Sequence, residues 1–350
     1  MNAQPAALTA LLLPALLPAL LLTACATGGG GAKPGGGADG GADGGDGGAS
    51  DGGEDTGAAA GCSGDPFSRA SLQADISRLA SPEWDGRRPG TPGDAAARGL
   101  IEARFACLGL EPLLASGEFQ EPFVDHKGRA TANVLAALPG RDASVAHEVV
   151  LVSAHLDHFG RGRLGANDDA SGLAVMMAAA QALAAGPGPR RTVIFAGFGS
   201  EESGFEGSEA FVTASASEIS PADVVFNLNL DMVGSYSQTD IVYALGTMDG
   251  TPGRRAIDAL VGDFPSLNIG LGDWSNESDN VTFCRRGVPY LFFWTEDPEC
   301  YHLDCDTEDR IDYVHLVEIA ALTGALVTAL GDTEDDLGGA VRRGEKVCKG

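Results

Sequence analysis

The chain has 350 residues, 49 acidic and 23 basic, for a formal net charge of −26. That balance excludes the basic footprint of a nucleic-acid-binding protein and fits a well-solvated surface. Seven cysteines with no CxxC pair exclude zinc knuckles and suggest disulfides in an exported protein.

In chain order, the first element is an apolar run, AALTALLLPALLPALLLTACA, ended by small residues and a cysteine. Prolines interrupt it, so it reads as a secretory signal rather than a membrane span. Leu22-Thr23-Ala24-Cys25 has the form of a bacterial lipobox, although no Lys or Arg precedes the apolar run. Residues 1–25 are therefore expected to be a lipoprotein-type signal. A lipid on Cys25 would be the only membrane contact, at the cell envelope; without acylation the protein would be secreted. Residues 26–61 are Gly, Ala and Asp with almost no large apolar side chain. Such a segment buries too little surface to order itself and reads as a flexible tether. Residues 62–350 suit a single domain, expected to act as a monomer. Cys300 and Cys305 flank His302 and are expected to close a small loop. Cys62, Cys107, Cys284 and Cys348 allow three pairings, and the sequence does not choose among them.

Residues 68–82 and 93–109 have the apolar spacing of amphipathic helices. Between them lies EWDGRRPGTPGD, rich in turn formers. Strand-like runs follow at FQEPFV and ATANVLAAL. Strands and helices then alternate: HEVVLVSAH, the helix ASGLAVMMAAAQALAA, RTVIFAGFG, the helix FEGSEAFVTASA, and DVVFNLNLDM. DIVYAL and VPYLFFW are further strands, and IDYVHLVEIAALTGALVTAL is a closing helix. The alternation, with continuously apolar strands, predicts an α/β fold: a mostly parallel central sheet with helices on both faces. Such folds bind ligands at strand C-termini.

The candidate functional residues stand at those strand ends. His155 and Asp157 close HEVVLVSAHLD, on one side of the chain by period-two alternation. An Asp there can accept from the second ring nitrogen of a metal-bound His; an HxD alone is more often a surface pair. Asp168 and Asp169 open a helix in GANDDASG, so one of them can be a simple N-cap while the other reaches a metal. Glu201 and Glu202 follow the second strand of the alternation. Adjacent carboxylates repel unless a cation or shared proton intervenes, though a solvated acidic turn explains an EE pair equally well. Asp231 ends an apolar strand, where an unpaired charge is costly. His302 sits between two cysteines. Each piece is nonspecific; their joint order is not.

That order resembles the double-zinc aminopeptidases of metallopeptidase family 28, clan MH, which also contains glutamate carboxypeptidases and glutaminyl cyclases. The resemblance runs over roughly residues 70–330, through DGRRPGTPG, LGLEP, AHLDH, GANDDASG, FGSEESGFEGS, NLDM, SDNVTF, GVPYLFF and YHLDCDTEDRID. It implies two zinc ions. His155 and Asp231 would hold one, Glu202 and His302 the other, and Asp168 would bridge them. Glu201 would be the general base, Asp157 would orient His155, and Tyr301 would steady the tetrahedral intermediate. It also implies a cis peptide at Asp168–Asp169, a disulfide bracketing Tyr301 and His302, and peptide substrates with a free N-terminus. One departure is Asn280, where many members carry His in an SDHxxF segment. Asn280 lies outside the implied ligand set, so it bears on substrate preference rather than on the metals.

Three readings remain in play. The first is an aminopeptidase. The second, within the family, is a carboxypeptidase or a glutaminyl cyclase; a cyclase works with one zinc, and a carboxypeptidase needs a basic pocket for which Arg285 and Arg286 are the candidates. The third is a non-catalytic binding module that keeps the fold.

Overall fold

The computed structural model describes residues 62–214 and 220–342; the expected signal and tether, Cys348 and the end of the segment FEGSEAFVTASA lie outside them. Nine strands form one sheet, in the order β1-β3-β5-β4-β6-β9-β7-β8 with β2 also on β3. They are β1 (Glu111–Pro112), β2 (Gln120–Val124), β3 (Ala130–Leu138), β4 (Val149–His155), β5 (Thr192–Phe198), β6 (Val224–Leu230), β7 (Val242–Leu245), β8 (Ile269–Gly272) and β9 (Tyr290–Trp294). The central strands β5, β4, β6 and β9 pair in parallel. Both flanks turn antiparallel, at β3 with β5 and at β7 with β9.

The centre is parallel because its strands are predominantly apolar, buried along nearly their whole length and covered on both sides. In β4 and β5, alternate residues divide between two cores. Val150, Val152, Val193 and Phe195 join the larger one, with Leu72, Ile101, Leu173 and Leu316 from helices α1 (Arg69–Leu79), α2 (Pro92–Cys107), α3 (Gly172–Ala184) and α7 (Tyr313–Asp332). Val149, Leu151, Ile194 and Phe198 join the other, with Phe211 of α4 (Glu206–Thr213) and Phe283 of α6 (Asn280–Cys284). Each such fully buried side chain contributes about 1.5–3 kcal/mol.

Helix starts follow local chemistry. Thr91 accepts from the Asp94 amide and Pro92 occupies the first turn of α2. Asp312 accepts from the Val314 and His315 amides at the start of α7. The sequence spacing does not predict α5 (Pro252–Leu260), although a Thr251 cap and a first-turn proline mark its start. It is a nine-residue surface helix that buries only Gly253 and Ile257, too short for its apolar spacing to stand out in a window of about 11–18 residues. Nor does the spacing predict β8, a four-residue strand with no buried position.

Cys300 pairs with Cys305, as expected, and Cys62 pairs with Cys107. The second bond anchors the start of the described chain to the end of α2.

A candidate metal centre at the strand ends

Three adjacent parallel strands present their C-terminal ends side by side. His155 is the last residue of β4, paired in register with Phe198 of β5. Asp231 directly follows β6, and Glu201 and Glu202 lie three and four residues beyond β5. The chain bends sharply after β5, after β6 and in the disulfide loop: Ser200, Met232 and His302 have positive φ, 58°, 56° and 58°. Non-glycine residues seldom adopt that conformation, and it concentrates at functional sites.

These turns bring five ionisable side chains together. Nε2 of His155 lies 3.0 Å from Oδ1 of Asp168 and 3.3 Å from Oδ1 of Asp231. Nε2 of His302 lies 3.3 Å from Oδ2 of Asp168 and 3.5 Å from an oxygen of Glu202. Asp168 thus divides its two oxygens between two neighbouring donor groups. The Asp168–Asp169 peptide is cis, as the resemblance implies.

The two aspartates of GANDDASG have separate duties. Asp169 accepts from the amides of His155 (3.0 Å), Gly172 (2.9 Å) and Met232 (3.2 Å). It satisfies the first amide of α3 and ties the ends of β4 and β6 together. Asp169 also comes within reach of His155 and Asp231, but both its oxygens already accept main-chain donors. Asp168 faces the cleft.

Asp157 departs from expectation. Nδ1 of His155 lies 2.9 Å from the main-chain carbonyl of Asp157, not from its carboxylate. The imidazole folds back over its own turn and meets the backbone first. The Asp157 carboxylate instead accepts from the Glu201 amide at 2.8 Å. Residue 157 therefore orients His155 through its backbone and Glu201 through its side chain. Burial raises the Asp157 carboxyl to about 6, against the pull of His155.

Three further residues support the site without having stood out in the sequence. Asp306 accepts from the amides of Asn167 (2.7 Å) and Asp168 (3.0 Å), tying the disulfide loop to the turn that carries Asp168. Arg87, fully buried, donates to five main-chain carbonyls, among them those of Leu156, Gly165 and Asp168. His158 is buried beside Glu202. Its signal was in view, a second histidine in AHLDH followed by a Gly-rich turn.

The electrostatics call for cations. Burial and the carboxylates of Asp231, Asp279 and Glu202 push the Glu201 carboxyl well above its usual range, against the pull of His155. Burial and Asp168 do the same to Glu202. Burial works against a charge on His155, but Asp231 and Glu201 overcome it and raise that imidazole. Oδ2 of Asp168, Oε1 of Glu202 and both ring nitrogens of His158 are buried without a hydrogen-bond partner. Unsatisfied buried acceptors of this kind are costly. Carboxylates and imidazoles at these separations are the donors that divalent zinc takes.

The cleft above this cluster measures about 590 Å³. Met232, Phe292 and Trp294 give it apolar walls, and Glu277 and Glu296 add acidic groups. Tyr301 also lines it, stacked on His302 with ring centres 3.7 Å apart. Burial and the carboxylates of Asp168, Asp231, Glu202 and Glu201 push its hydroxyl upward, so it keeps its proton. None of the described lining residues is Lys or Arg. Arg286 reaches away, to Glu209 and the Thr282 carbonyl, and Arg285 is exposed. Asn280 is buried and donates to the Ser275 carbonyl at 3.1 Å. It stays out of the cleft and pins the loop that presents Glu277.

Comparison with known proteins agrees with this picture. Residues 133–327 match Peptidase family M28. Aminopeptidase YwaD of Bacillus subtilis is 33% identical over 196 residues, 52% of this chain and 40% of that protein. An aminopeptidase of Pseudomonas aeruginosa is 28% identical over 57% of this chain and 42% of its own length. The chain thus spans about two fifths of these curated relatives. In structure, BSAP, a zinc aminopeptidase from Bacillus subtilis, superposes with a TM-score of 0.63 at 18% identity, over 78% of this chain and 97% of that one.

Proposed function

The chain belongs to peptidase family M28, and from that premise we propose that it is an exported zinc aminopeptidase that releases N-terminal residues from peptides. The observation that carries the reading is the split of the Asp168 carboxylate, one oxygen toward His155 and the other toward His302. In this reading His155, Asp231 and Asp168 would hold one zinc ion, and Glu202, His302 and Asp168 would hold a second. Two such ions supply Lewis acidity and make a water acidic enough to attack at neutral pH. The protein does the rest. Glu201, fixed through its amide by Asp157, accepts the proton of the attacking water and passes it to the leaving amine. Tyr301, protonated at the cleft wall, donates to the developing oxyanion. Glu277 and Glu296 favour a substrate that enters amine first.

The absence of basic side chains among the described lining residues supports an aminopeptidase over a carboxypeptidase, which must neutralise a substrate carboxylate. The glutaminyl cyclase of Porphyromonas gingivalis shares the fold, with a TM-score of 0.60 at 20% identity. Against cyclase chemistry stands the completeness of both donor groups here, where a single ion would leave one of them uncompensated. Export is supported by the apolar N-terminal run ending in Cys25 and by two disulfides among the described residues.

The test is a comparison of amino-acid anilides with their N-acetylated forms. The free-amine substrate should be cleaved faster by roughly 10²-fold, the scale of lost hydrogen bonds to a charged group. Equal rates would refute recognition of the N-terminus. Metal binding has its own readout. Zinc restored to chelated protein should raise the melting temperature, by stabilisation of about 4 kcal/mol per site at a thousandfold excess over Kd. An unchanged transition would count against zinc in this cleft.

A further inference from the structure

His158 has no part in the mechanism above, yet its surroundings are those of a ligand. Its side chain is fully buried, and neither ring nitrogen has a hydrogen-bond partner. Nδ1 lies 2.9 Å from Oε1 of Glu202 and 3.6 Å from Oδ2 of Asp168. Neither contact has hydrogen-bond geometry: these two oxygens and Nδ1 are all left unsatisfied although they crowd together. The three residues form a group whose donor atoms all lie within 4.8 Å of one another, close enough to share one ion.

The spacing says what belongs there. Ligands about 2.0–2.1 Å from a tetrahedral zinc lie about 3.3 Å from each other. The separations here are 2.9 and 3.6 Å from His158, and 3.3 and 3.5 Å from His302. Gly165 makes the arrangement sterically possible: a Cβ there would fall 2.7 Å from Cγ of His158. Phe159 packs edge-on against both the His158 and His302 rings.

We infer that Nδ1 of His158 is an additional protein ligand of the metal held by Glu202 and His302; the inference rests on the metal reading above. The two sites then differ in ligand number. Asp168, Glu202, His302 and His158 offer four protein ligands, whereas His155, Asp231 and Asp168 offer three. The site of His158 therefore fills first and holds its ion more tightly, and the site of His155 is the exchangeable one.

The experiment is zinc titration of the chelated full chain against a competing chelator, with X-ray absorption of the form loaded with one equivalent. The wild type should show two unequal affinities, and the one-zinc form should show two imidazoles on its ion, from His158 and His302. His158→Ala should weaken the tighter site by at least about 10²-fold, beyond what loss of an outer-shell partner costs, and leave one imidazole. Two affinities within threefold of wild type in that variant, or a single imidazole in the wild-type one-zinc form, would overturn the assignment. The wild-type spectrum decides the matter even where the variant does not fold. A wild type that binds no zinc would instead overturn the metal reading itself, and this assignment with it.

Discussion

Glu201→Gln should lower kcat by about 10²–10⁴-fold, the usual contribution of a positioned general base, while zinc content and KM stay close to wild type. The substitution is nearly isosteric. It leaves the amide that Asp157 holds untouched, because that contact is to the backbone. Glu201 belongs to neither donor group, so both ions keep their ligands. What is lost is the capacity to accept a proton. Wild-type Glu201 is well prepared for that role: burial and the carboxylates around it give it a strong preference for the protonated form, and bound cations would bring that preference down toward neutrality. A fall in kcat without a rise in KM marks an interaction made only in the transition state. Turnover within threefold of wild type, with zinc content confirmed by elemental analysis, would mean the proton goes elsewhere.

The strand ends were legible in the sequence, and the reason is local. HEVVLVSAH, RTVIFAGFG and DVVFNLNLDM are predominantly apolar runs that stop at an ionisable residue or a Gly-rich turn. In a parallel sheet such runs can only be buried strands, and their ends can only converge. The antiparallel flanks were not legible in the same way. The pairing of β3 with β5 joins segments about 60 residues apart, and nothing in ATANVLAAL itself says which neighbour it will meet.

Within the site the same division holds. Which aspartate of GANDDASG accepts the first amide of the helix and which enters the cleft depends on the backbone path, not on the residue types. Asp306 acts on amides 138 and 139 positions away. An acid in DCDTED offers no sign of that errand. His155 and Asp157 were visible as a pair, but the sequence cannot say whether a ring nitrogen meets a carboxylate or the carbonyl of the same residue. Sequence pattern thus identifies residues committed to one face of one element. Residues whose partners are remote loop carbonyls and amides require the fold.

Arg87 is the strongest case of the second kind, and replacing it should be the most destabilising single change near the site. Its guanidinium donates to the carbonyls of Leu79 (2.9 Å), Leu156 (2.8 Å), Leu164 (2.9 Å), Gly165 (3.0 Å) and Asp168 (3.4 Å). Those carbonyls belong to the end of α1, the turn after β4 and the loop of Asp168, so one side chain fixes three segments. Its positive charge faces Asp169, Asp168, Asp306 and Asp157 from behind. Replacing a buried ion pair by apolar groups is often harmless when both partners go. Here only one partner can go, since main-chain carbonyls remain whatever the side chain. Arg87→Met should therefore cost about 3–5 kcal/mol, the range for leaving buried charge uncompensated, in urea unfolding of the zinc-free protein. Arg87→Lys keeps the charge but offers three donors on a flexible stem instead of five in a plane, so it should fall between Met and wild type. A Met variant within about 1 kcal/mol of wild type, the worth of a single ordinary hydrogen bond, would show that the loop carbonyls find other partners and that the cleft does not depend on this cation.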